Sequence, residues 1–264
     1  MLHMALAGNC LAAIGGQPHV YGEKFTPVYP VLLFYDKIPL HLRPATQQNI
    51  ETFKRIERPT PPPRDLRLLQ TLLPGYESIG EFYNEILRFK ELYKDMGPKL
   101  FLSSSVARQY QTADGSWYDD DMQAIHSIES AIAALTTIIE QGEGTPAASP
   151  SLKNTTQSHY EVFYGLLTSE SGLDFYDVVE DPKTPIYAGQ PAIYSIMILS
   201  DAAYSYLLLT TEAAWRYAGP LRQQLVTNNI MNIMLTVLKP LSFHLVTQTL
   251  ADARCVSLHK RRWI

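Results

Sequence analysis

One stretch limits what this chain can fold into more than any other. From Ala192 to Leu209 the residues are apolar over about the length of a membrane span. Yet Asp201 falls near the middle, and Ser195, Ser200, Ser205, Tyr194, Tyr204 and Tyr206 are spread through it. A carboxylate at mid-helix is costly in lipid, so the stretch reads as a buried helix of a soluble, helical protein. No membrane partner is expected.

The helical period recurs along the chain. Met1 to Ile14 predicts a helix stopped by Gly15-Gly16, with Pro18 just beyond. Residues 17–77 are rich in proline, and the spacing predicts short helices near 46–57 and 64–72 inside an ordered crossover. Ser78 to Asp95 reads as a long helix striped by Ile79, Phe82, Tyr83, Ile86 and Tyr93. Residues 119–143 read as another, striped by Ile125, Ile128, Ile132, Leu135 and Ile139. A polar loop from Gly144 to Ser158 leads to a short helix over His159–Leu167, and long helices follow at about 191–217 and 220–249. Strand-like alternation is scarce, and 46% hydrophobic residues in a 264-residue chain supply a core. The expectation is an all-α bundle with one long crossover. Residues 1–250 form the helical domain. Residues 251–264, with Arg254, Lys260, Arg261 and Arg262, form a basic, disordered tail.

Composition excludes several classes of function. A net charge of −4 and a pI near 6.0 argue against nucleic acid as the partner. Two cysteines, Cys10 and Cys255, make no disulfide framework, and no leader precedes the first helix, so a cytoplasmic location is expected. There is no glycine-rich phosphate loop, no CxxC pair and no HExxH.

The candidate chemistry lies in histidines and carboxylates on apolar stripes. His3 shares a stripe with Leu6, Ala7, Cys10 and Ile14, and His159 shares one with Phe163 and Leu166. Either alone also fits a core histidine bonded to a carbonyl. Glu143 extends the stripe of Ile132, Leu135 and Ile139, with Glu140 one turn before it. Such a carboxylate needs a cation or a hydrogen-bond network, or else marks a helix end frayed into water. Ser78-Ile79-Gly80-Glu81 matches a capping box, which gives Glu81 a purely structural task.

Several short motifs occur in a fixed order: Met1 to Asn9 (MLHMALAGN) with Ala13-Ile-Gly-Gly16, then Leu40-His-Leu-Arg-Pro44, Ile79-Gly-Glu-Phe-Tyr83, Glu140-Gln-Gly-Glu-Gly144 and Ser158-His-Tyr160. On these the chain resembles the ferritin-like family that includes the iminophenyl-pyruvate dimer synthases of bisindole pigment biosynthesis. The similarity continues through Ala202 to Leu207 and Leu238 to Leu241. The resemblance implies a ferritin-like four-helix bundle with additional C-terminal helices, built around iron as a di-iron or mononuclear centre. It also implies that His3, Glu81, Glu140, Glu143 and His159 supply the metal ligands. Residues 145–158 would then loop out so that Glu143 and His159 meet.

The implied activity is iron-dependent oxidative coupling of small aromatic imino acids in secondary metabolism. The family's Glu-Glu before Met1, and the core helix before that, have no counterpart here, so the first core helix is expected to be missing. Two divalent ions carry four positive charges, and Glu81, Glu140 and Glu143 offset three at most. The alternative is a catalytically inactive, truncated ferritin-like protein with a structural or interaction role. It would assemble as a homo-oligomer or with a partner that supplies the missing helix.

Overall fold

Helix α1 (Leu2–Ala13) stops where the sequence marks it. Gly15 takes a left-handed φ of +91°, and its N–H donates to the Ala12 carbonyl at 3.1 Å, closing the last turn. The computed structural model describes residues 1–33, 37–59, 78–88, 90–111, 121–142, 157–169, 175–176, 178–247 and 260–261. The expected helix at 64–72 and nearly all of the loop 144–158 lie outside the described residues.

α1 is fixed by two neighbouring residues. A Cβ on Gly8 would sit 2.2 Å from Cζ2 of Trp215, so only glycine lets the indole lie on the helix backbone. Asn9 is fully buried. Its Nδ2 donates to the carbonyls of Tyr110 at 2.8 Å and Gln123 at 3.3 Å. Its Oδ1 accepts from the Tyr110 N–H at 2.8 Å and from Trp215 Nε1 at 3.1 Å. One side chain thereby ties α1 to two loops and to the far end of the chain. Leu6, Tyr110, Met122, Ile125, Leu135, Trp215, Val226 and Ile230 fill the core around it.

The next elements follow their local signals. α2 (Gln47–Ile56) is capped by Thr46, whose Oγ1 accepts from the Asn49 N–H at 3.3 Å. The long helix expected over Ser78–Asp95 is present as α3 (Ile79–Arg88) and α4 (Lys90–Met96). α6 (His159–Thr168) opens with a complete capping box: Ser158 Oγ accepts from the Glu161 N–H, and the Glu161 carboxylate accepts from the Ser158 N–H. Two-residue strands β1 (Val31–Leu32) and β2 (Pro39–Leu40) pair antiparallel. So do β3 (Phe175–Tyr176) and β4 (Lys260–Arg261).

Two elements differ from expectation. α5 runs Ile128–Gly142 and begins well after residue 119. Ile125 is buried in an extended segment, held by its N–H to Gln109 Oε1 at 2.6 Å and its carbonyl to Gln109 Nε2 at 2.9 Å. Its apolar character serves the core, not a helical stripe, and Ser127 starts the helix by accepting from the Ser130 N–H. The second difference is α7 (Pro191–Ala214). It is buried toward its C-terminal end, at Ala203, Leu207, Leu208 and Ala214, while Leu199 and Leu209 are 51% and 47% exposed. The helix expected to be buried is therefore half-exposed. By length and composition it is also the one described helix able to cross a membrane.

The C-terminal segment comprises α8 (Gly219–Gln224), π-helical stretches at Leu225–Ile230 and Ile233–Leu238, and α9 (Lys239–Thr247). It packs along α7. In the N-terminal half, α1 and α3 pack on α5, α2 packs on α6, and α5 meets α6. The start of α1, the end of α2, the end of α5 and the start of α6 converge as a result. The architecture is all-α.

Candidate metal centre

The convergence brings the rings of His3 and His159 together, with centroids 5.3 Å apart and planes tilted by 34°. His3 comes from the first turn of α1, and His159 is the first residue of α6 after the Ser158 cap. Glu57, at the C-cap of α2, stands beside His159, with Oε1 3.5 Å from His159 Nδ1. Gly142 ends α5 beneath them. A Cβ there would lie 3.1 Å from Glu57 Oε2 and 4.0 Å from His3 Cε1, so the glycine leaves the middle of the group free of side chain.

A polar chain orients His3. Gln141 Nε2 donates to Asp121 Oδ2 at 2.5 Å, which turns the amide oxygen toward the imidazole. His3 Nε2 then donates to Gln141 Oε1 at 3.2 Å, and Nδ1 carries the lone pair. Burial lowers the His3 pKa, against the opposing effect of the Gln141 bond, and the charge of His159 lowers it further. His3 is thus a neutral imidazole near pH 7, the form that ligates metal.

Of the residues singled out in the sequence, the structure brings His3 and His159 together. Glu140 is half-buried on α5 and makes no hydrogen bond or ion pair among the described residues. Glu81 stands in the first turn of α3, where its N–H donates to Ser78 Oγ at 3.0 Å, one of the two bonds of the capping box that the sequence predicts. Glu143 lies outside the described residues. Sequence reasoning missed Glu57, Gln141 and Asp121. Glu57 sits just before Arg58-Pro59 at a helix end, with no stripe to mark it, and Gln141 is a neutral amide beside more conspicuous carboxylates.

Two imidazoles and one carboxylate are a donor set of the kind that holds a divalent metal ion. The residues present match one metal ion in donor type, but their donor atoms do not all lie within 4.8 Å of one another. They do not supply the carboxylates that two would need.

A second group lies elsewhere. His41 Nδ1 is 2.6 Å from Asp181 Oδ2 and 3.0 Å from Glu180 Oε1. Among the described residues it is the one set of three metal-ligating side chains whose donor atoms all lie within 4.8 Å of one another. Asp181 holds a left-handed φ of 46°. Its Oδ1 accepts from the Leu42 N–H at 2.7 Å, while its own N–H donates to the Leu42 carbonyl at 2.7 Å. Desolvation pushes the Asp181 carboxyl up, but His41, the Leu42 N–H and Arg43 outweigh it and hold its pKa below the usual value. With both carboxylates on Nδ1, that nitrogen carries a proton, which a metal ion would have to displace.

Comparison with known proteins agrees with this architecture. The profile of the family described as ferritin-like matches residues 1–168, which span α1 to α6 and all of the His3, Glu57 and His159 group. No curated protein and no solved structure matches the chain. With helices throughout and a family match over well more than half its length, the chain belongs to the ferritin-like family.

Proposed function

We propose that this protein is a metal-dependent oxidoreductase holding one divalent iron between His3, His159 and Glu57. The observation that carries the reading is the 5.3 Å approach of two imidazoles from opposite ends of the matched region, with a carboxylate beside them. His3 offers Nδ1, because Asp121 and Gln141 fix the proton on Nε2. Glu57 offsets one of the two charges of the ion. Iron in such a site supplies one-electron chemistry with dioxygen or an oxidised substrate. The remaining positive charge favours an anionic substrate, in keeping with the aromatic imino acids that the resemblance implies. The same reading makes the protein cytoplasmic and of secondary metabolism.

The test is iron, manganese and zinc per chain by elemental analysis, on protein from cells grown with each metal. About one iron per chain, lost in His3→Ala and His159→Ala, supports the reading. A folded, helical protein without stoichiometric metal overturns it. A second reading, a non-catalytic ferritin-like interaction protein assembling with itself or a partner, is favoured by the apolar face that α7 leaves exposed at Leu199, Tyr206 and Leu209. It predicts the metal-free outcome together with a concentration-dependent oligomer in sedimentation.

A further inference from the structure

Away from the histidine pair, a cavity of about 510 Å³ opens between α2, α7, α9 and the segment 178–187. That volume is within the range that holds organic ligands. Phe53, Val178, Ile193, Met197 and Leu245 give it apolar walls. Arg43, Asn49, His41, Tyr187 and Ser242 interrupt those walls.

Arg43 and Asn49 have unused capacity. Asn49 is 6% exposed, and its Nδ2 donates to the carbonyls of Arg43 at 3.2 Å and Pro44 at 3.1 Å. Its Oδ1 accepts no hydrogen bond from the described residues. The Nε of Arg43 is buried without a hydrogen-bond partner among the described residues. Asp181, on which the charge of Arg43 acts, is already committed: it spends Oδ1 on the Leu42 N–H and Oδ2 on His41. A buried donor left bare is costly, and a planar guanidinium edge matches a carboxylate in two parallel bonds.

We infer that this cavity binds an organic acid with an apolar body and a hydroxyl beside its carboxylate. The carboxylate pairs with the Nε edge of Arg43. The hydroxyl donates to Asn49 Oδ1. Because Asn49 holds the Arg43 backbone, the two groups that read the ligand head are built as one unit. The apolar body lies against Phe53, Met197 and Leu245. The inference does not rest on metal at His3 and His159, although α2 carries residues of both sites.

Isothermal titration of the full chain tests it with 3-phenyllactate and 2-hydroxydecanoate, one aromatic and one aliphatic body, each against its methyl ester. The expected result is that at least one acid binds about tenfold or more tighter than its ester, and the pair of acids tells which body the walls prefer. Arg43→Gln, checked for helicity by circular dichroism, should erase the acid–ester difference, and Met197→Trp should abolish binding by filling the cavity. Equal binding of acid and ester by the unaltered chain overturns the inference, as does failure of both acids to bind. Comparison with 3-phenylpropionate isolates the hydroxyl, and equal affinity for the two phenyl acids overturns the assignment to Asn49. Metal content plays no part in these readouts, so failure here and failure of the iron reading are distinguishable.

Discussion

The two ends of α1 use polar side chains in opposite ways. At one end Asn9 is fully buried and every polar atom of its amide is bonded, to Tyr110, Gln123 and Trp215. At the other end His3 is half-buried, makes one hydrogen bond among the described residues, through Nε2, and lies beside a second imidazole. A saturated buried amide specifies packing and has nothing left to offer a ligand. A neutral imidazole with one nitrogen held and the other free is poised for one. If the contrast is real, changes at the first end cost stability and changes at the second cost binding.

The largest effect is expected at the saturated end. Asn9→Leu strands the Tyr110 N–H and carbonyl and the Trp215 indole N–H, and should cost roughly 3–5 kcal/mol of unfolding free energy. Gly8→Ala should be comparably severe, since its methyl would overlap the Trp215 ring. Urea unfolding followed by tryptophan fluorescence measures both. A loss below about 1 kcal/mol for Asn9→Leu would remove the first half of the comparison.

Glu212 on α7 ranks next and belongs with the saturated class. Its side chain is 8% exposed and it accepts from the N–H groups of Val20 at 3.2 Å and Tyr21 at 3.4 Å, beside His19 and Arg216. Desolvation raises its pKa, but the two N–H groups, His19 and Arg216 together prevail and hold it below the ordinary 4.5. Glu212→Gln should cost about 2 kcal/mol near neutral pH. Because the folded pKa is depressed, that contribution is complete above pH 4.5 and is lost as pH falls through the lower folded value. The gap between variant and parent should therefore close on acidification. A gap that widens as pH falls would mean that Glu212 is not an ionised strap on the 19–21 segment.

How far the comparison was legible beforehand depends on the element. α1, α2, α6 and the start of α7 carry their own boundary signals, Gly15, Thr46, Ser158 and Pro191, and their limits follow the sequence closely. α5 did not, because a buried extended segment such as the one at Ile125 imitates a helical stripe. Asn9 stood inside a recognised motif, but its partners are about a hundred and two hundred residues away, and no local pattern encodes them. The pairing of His3 with His159 came through family resemblance alone, because each histidine by itself also fits a core position. Glu57 entered only when α2 was packed on α6.

At the open end, His3→Ala should change unfolding free energy by less than about 1 kcal/mol, since it deletes a half-buried ring with one hydrogen bond. It should nonetheless remove the bound iron. A loss of several kcal/mol would move His3 into the same class as Asn9 and undo the contrast.

The smallest and sharpest effect is expected at Gln141. It touches no ligand in this reading and acts only by fixing which nitrogen of His3 bears the proton, through Asp121 Oδ2 at 2.5 Å and His3 Nε2 at 3.2 Å. Gln141→Leu keeps the bulk but frees the ring to flip or exchange tautomers, so iron affinity should fall about 10–100-fold while stability stays near that of the parent. Gln141→Glu separates orientation from mere polarity. A carboxylate at 141 still accepts from His3 Nε2 but repels Asp121 at the distance where the amide donated, so Asp121→Asn should restore affinity in the double variant. Rescue by that second change is what an orienting chain predicts. If Gln141→Leu binds iron as tightly as the parent, the polarity of position 141 is a packing detail, and the distinction between a saturated and an open end of α1 rests on His3 alone.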